Sequence, residues 1–149
     1  MVVETADRHV HVLRQVRSHA YRRAHMQEIT FIIGPDRAAA ELWEAIGTAG
    51  VTMEASCTYP SVDGRNVRIV VTEDDVQSAR SAAVDAGFGA IDQHEVLMAD
   101  IEVRAGGLGS LARKVADSGA KVHILYMATG DRVVVGADDL ETAAEALGI

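Results

Sequence analysis

The chain has 149 residues, 48% of them hydrophobic, with a formal net charge of −8 and a single cysteine. That length holds one ordinary domain or two very small ones, and no apolar run approaches the roughly 20 residues of a membrane span. The N-terminus lacks the pattern of a secretory signal and Cys57 permits no internal disulfide, so a cytoplasmic protein is expected.

Residues 1–26 read as a basic His/Arg-rich N-terminal arm. The first 25 residues hold five arginines against Glu4 and Asp7, and four of the six histidines. The rest is strongly acidic and a poor partner for phosphate backbones, so nucleic acid is not expected as a partner. Arg8 to Leu13 alternates as a short strand would, and Val10 to Tyr21 reads equally as an irregular basic helix. Met26 directly precedes the first clear strand, which leaves open whether translation begins there and the arm is non-native.

From Glu28 the pattern is regular. Glu28 to Ile33 predicts a strand, and Ala39, Leu42, Trp43 and Ile46 share one helix face. Gly50 supplies the left-handed residue that ends such a helix. Val51, Met53 and Ala55 alternate as a second strand. Residues 61–64 signal a turn, and Asn66 to Thr72 form a third strand. Asp74 and Asp75 suit a helix start, Val76, Ala79, Ala83 and Val84 give that helix its apolar face, and Gly87 stops it. Phe88 to Val96 returns as a strand. The order is β-α-β-β-α-β, the ferredoxin-like arrangement of an α+β fold.

The order then restarts: a strand over Asp100 to Val103, a helix carrying Leu108, Leu111, Ala112 and Val115, Gly119 in the place of Gly50, and strands over Val122 to Met127 and Arg132 to Val135. VVTEDDVQSA at 70–79 pairs with VVGADDLETA at 134–143, a repeat in register. The units are expected at 27–96 and 97–149. After the last helix only Leu147, Gly148 and Ile149 remain, too few for a closing strand, so the second unit has an open edge. Either another unit or chain covers that edge, or HVHVL at 9–13 supplies the strand.

Gly-loop, helix, small residue plus Gly, strand, hairpin and Asp-Asp helix together resemble the ACT domain, and the tandem layout resembles short two-ACT proteins. The resemblance implies paired βαββαβ units with adjoining sheets, a homodimer, no cofactor, and a small ligand, most often an amino acid, held where units meet. It places the ligand loop, which in the family reads Asp-x-Pro-Gly-x-Leu, at Val103, Arg104, Ala105, Gly106, Gly107 and Leu108. The acid and the proline are absent here. In the first unit, Arg37 stands where the family glycine would.

A diglycine feeding a helix N-terminus offers free N–H groups and the positive end of the helix dipole, a fit for a carboxylate. Glycine is needed there because a Cβ would hold a ligand away. The predicted ligand-binding residues are Arg104, Ala105, Gly106, Gly107, Leu108 and, on the facing second strand, Thr52. Read alone, a Gly-Gly before a helix is also an ordinary tight turn. His9 and His11 form an HxH with no partner in metal-site spacing. Asp74, Asp75, Asp138 and Asp139 are explained as helix caps, and neither Ser110 nor Cys57 has a readable base. No catalytic residue and no metal site is predicted. The expectation is a non-enzymatic regulatory protein that binds a small molecule; the alternative is an assembly module with a degenerate ligand loop.

Overall fold

The computed structural model describes residues 24–149. Their elements run β1 (His25–Ile33), α1 (Ala39–Thr48), β2 (Ala55–Ser61), β3 (Gly64–Val71), a 3-10 turn (Glu73–Asp75), α2 (Val76–Asp85), β4 (Ala90–Asp100), α3 (Gly107–Asp117), β5 (Val122–Ala128), β6 (Arg132–Ala137) and α4 (Leu140–Leu147). All strand pairings are antiparallel, in the order β2-β3-β1-β4-β6-β5. The architecture is that of two ferredoxin-like units in tandem, and among the described residues no strand follows α4.

The strands expected over 88–96 and 100–103 are one strand, β4. Its first part pairs with β1, from Ala90↔Phe31 to Leu97↔His25, and its last part with β6, from Leu97↔Val135 to Asp100↔Arg132. Leu97 alone is paired on both sides. The same strand thus closes the first unit and opens the second, and the expected boundary at 96/97 falls inside it. Beyond Asp100 the chain leaves the ladder, so Ile101 to Val103 are not strand.

Alternation along the strands separates two faces. Ile29, Phe31, Ile33, Val67, Ile69 and Val71 meet Leu42 and Ile46 of α1 and Ala79 and Ala83 of α2 in the first core. Leu97, Ala99, Val133 and Val135 meet Leu111 and Val115 of α3 and Ala143 and Ala144 of α4 in the second. The opposite faces make a third core of Ala55, Val70, Val96, Met98, Ile124 and Val134. In a flat sheet, β2 and β5 at opposite edges would stand about 24 Å apart. Here Ala55 of β2 and Ile124 of β5 share a core, and Arg132 of β6 lies 3.0 Å from Glu54, just before β2. The sheet therefore folds over at β4 and stacks on itself, with helices outside both layers, as happens where a strand switches between packed sheets.

Two local expectations are corrected. Val51 and Met53 pack on the first core from a connecting segment, and β2 starts only at Ala55, so Thr52 is exposed and off the strand. Val84 is 63% exposed, because only Ala79 and Ala83 reach the core while Val76 packs at its margin. The segment 9–13, and with it the proposed closing strand and the HxH pair, lies outside the described residues.

Candidate ligand-binding site

The loop after β4 tightens through two backbone bonds: Arg104 N–H donates to the Glu102 carbonyl and Gly107 N–H to the Arg104 carbonyl, each at 3.0 Å. Gly106 then takes φ 78° as the N-cap of α3. Its carbonyl accepts the Ser110 N–H at 2.9 Å, starting the helix. No side chain caps α3. The two glycines therefore differ: Gly107's amide is consumed by the turn, whereas Gly106's amide has no hydrogen bond among the described residues. Gly107 is also a packing requirement, since a Cβ there would collide with the Glu102 carbonyl oxygen.

This loop borders a cleft of ≈ 130 Å³. Ile101, Leu111 and Leu147 supply its apolar lining, Gly107 and Ser110 the helix start, and Asp100, Glu102, Arg104 and Lys114 its charges. Gly107, Ser110, Leu111 and Lys114 stand at i, i+3, i+4 and i+7, one face of α3, and helical side chains lean toward the N-terminus. That tilt leans Lys114, in the last turn of α3, back along the cleft. Arg104 is tied down: its Nε lies 2.8 Å from Glu102 Oε2 and its Nη1 donates to the Ala105 carbonyl at 3.1 Å. Lys114 has no ion-pair partner among the described residues and keeps its charge available. Of the predicted residues, Arg104 and Gly107 line the cleft and Gly106 adjoins it; Ala105, Leu108 and Thr52 do not line it. The cleft is built from the second unit only. Asp100, Ile101, Glu102, Ser110, Leu111, Lys114 and Leu147 are not among the predicted residues, although Lys114 was findable: it continues the 107/110/111 face by one turn.

The equivalent place in the first unit is filled. Arg37 stacks over Phe88 with its guanidinium 4.3 Å from the ring centre, donates to the Ala86 carbonyl at 3.0 Å and pairs with Glu41 at 2.7 Å. Glu41 also accepts the Ala38 N–H at 3.1 Å, capping α1, and the arginine beside it holds its carboxyl below the usual range. Arg37 and Glu41 thus occupy the loop that leads into α1 and engage each other and the backbone around it.

The four paired aspartates divide. Asp139 caps α4, accepting the Thr142 N–H at 3.0 Å. Asp138 instead accepts the Lys121 N–H at 2.7 Å and ties β6 to the start of β5. Asp75 accepts the Thr72 hydroxyl at 2.9 Å and caps nothing. Asp74 accepts no cap bond either. Burial pushes the Cys57 thiol upward in pKa, with the nearby Glu28 charge adding to it, which opposes a nucleophilic role. No cluster of metal-ligating side chains occurs among the described residues, and no helix there is long and apolar enough to cross a membrane.

No family model and no curated protein matches the sequence. Solved structures do match. A protein from Bacteroides thetaiotaomicron aligns with TM-score 0.67 at 19% identity, covering 84% of this chain and 86% of that one. The ligand-free regulatory subunit of aspartate kinase from Thermus thermophilus aligns with TM-score 0.62 at 20% identity over 84% and 89%. The corresponding subunit from Thermus flavus gives 0.61 at 18% over 84% and 92%. The fold is a tandem ACT fold. In this tandem ACT chain the two units are unequal at the loop that matters: one is plugged by Arg37, the other opens onto a cleft.

Proposed function

We propose that this protein is a non-enzymatic, cytoplasmic regulator that binds a small ligand of amino-acid class in the α3 cleft and acts as a homodimer. The observation that carries the reading is one cleft lined both by the uncapped N-terminus of α3 and by Lys114 from its last turn, which has no ion-pair partner among the described residues. Both favour a carboxylate, and Asp100 brings negative charge to the same cleft for an ammonium group, Glu102 being paired with Arg104. Ile101, Leu111 and Leu147 suit a small apolar side chain. Regulatory subunits among the structures of like fold support a regulatory role. The cleft is lined by one unit only; in this reading a second chain completes the interface at which the ligand is held. Only a difference in affinity between two arrangements would make binding regulatory.

The test is thermal shift against the common amino acids at millimolar concentration. Binding to the native state raises its stability, by about 2.7 kcal/mol at a hundredfold excess over Kd. Lys114→Met, at an exposed position, is expected to leave the fold intact by circular dichroism and to remove the shift. A second reading, an assembly module without ligand, is favoured by the Gly107 amide and Arg104 being internally engaged. Absence of stabilisation by every amino acid selects it.

A further inference from the structure

Glu28 on β1 is fully buried in the space between the two sheet layers, and the ligand cleft makes no use of it. Its carboxylate gathers groups from both units. Arg68 of β3 donates to Oε1 at 2.9 Å, and His94 of β4 brings Nε2 to 3.2 Å of the same oxygen. Tyr126 of β5 donates its hydroxyl to Oε2 at 2.8 Å. Arg68 balances the charge within the first unit, as a buried carboxylate requires. Tyr126 does something different, because it comes from the outer strand of the second unit and spans the gap between layers.

Apart from this bond, the Arg132–Glu54 pair and a tilted His94–His123 ring contact at 6.3 Å, the described residues join the layers through the shared strand β4 and a largely aliphatic core. Aliphatic contact is non-directional, whereas a hydrogen bond fixes distance and angle. We propose that the Tyr126–Glu28 bond is a latch that locks the second unit's sheet against the first, with β4 as the hinge about which the layers separate when it breaks.

Cys57, on the β2 side of this space, is a native reporter. It is the chain's one cysteine, partly buried, and electrostatically coupled to Glu28, Arg68 and Tyr126. Tyr126→Phe removes the hydroxyl without changing any charge near the thiol. The experiment measures N-ethylmaleimide labelling of Cys57 in the full chain under native conditions. It compares wild type, Tyr126→Phe, and Ala143→Gly in α4, with the two variants brought to equal global stability by denaturant. Loss of one hydrogen bond to a charged group predicts labelling about tenfold faster in Tyr126→Phe, with no comparable gain in Ala143→Gly. Equal acceleration in both variants means that labelling follows global unfolding and overturns the latch, as does an unchanged rate in Tyr126→Phe.

Discussion

At Gly106 the backbone sits at φ 78° with open space where a Cβ would go, so conformation is the constraint; at Gly107 the constraint is the Glu102 carbonyl. The two positions therefore respond differently to alanine. Gly106→Ala is expected to lose about 1 kcal/mol, the ordinary penalty for a left-handed non-glycine residue, and to leave the loop in place. Gly107→Ala forces the Glu102 carbonyl aside and breaks the turn that closes on Arg104, so overpacking of about 1–3 kcal/mol is expected with the turn's loss added. Denaturant unfolding of the two variants measures this, and a larger loss at Gly106 would contradict the geometry. The diglycine was legible as special in sequence, but its division of labour was not, because two adjacent glycines carry no mark of which one turns the chain and which one makes room. Arg37 is the reverse case. One side chain in the glycine's place was enough to single out the first loop as filled, and its stacking on Phe88 and its bond to Ala86 show how.

Helices and hairpins were readable because their signals are local: apolar spacing, a glycine stop, a turn tetrad. The merging of two strands into β4 was not, since Leu97, Met98 and Ala99 continue an apolar run that periodicity cannot divide between neighbours. The paired aspartates show the same limit. Asp-Asp recurs in register in both units, yet only Asp139 makes a side-chain cap bond: Asp75 also stands at an N-cap position, but the 3-10 turn at 73–75 holds it in helical conformation and its carboxylate takes the Thr72 hydroxyl instead. The Asp139 bonds to the Thr142 amide and then to its hydroxyl hold the carboxyl below the usual aspartate range. A folded-state pKa depressed in this way stabilises the fold above the unfolded value, about 3.9, and the contribution is lost as pH falls through the folded value. Asp139→Ala is therefore expected to lower Tm at neutral pH, with the gap to wild type shrinking below about pH 4. Melting curves across pH 2.5–7 check this, and a gap that persists undiminished in acid would show that the carboxylate's charge has no part in the cap.

For the whole molecule, the decisive event is the folding-over at β4, which turns two outward sheet faces into one interior. Polar residues on those faces, Glu28 above all, look in sequence like the solvated side of a strand, and only the stacking reveals why a glutamate, an arginine and a tyrosine occur in otherwise aliphatic positions. The same stacking sets an alkaline limit on stability. Burial, then the charge of Glu28 and the hydrogen bond to it, raise the Tyr126 hydroxyl far above its ordinary pKa, while Arg68 opposes the shift. Glu28, Cys57, Arg68 and His94 are the titratable groups around it. In the unfolded chain the phenol ionises near pH 10; in the folded chain it stays protonated to higher pH. A raised folded-state pKa means that the contribution is complete below about pH 10 and is lost as pH climbs beyond it. Wild type should therefore lose its stability advantage over Tyr126→Phe above about pH 10. Cys57, also raised by burial, is present in both proteins and drops out of the difference. Denaturant midpoints from pH 8 to 11, with tyrosinate absorbance followed in the folded state, make the measurement. A constant advantage across that range would mean that Tyr126 ionises alike in both states, and that its hydroxyl is not held between the layers.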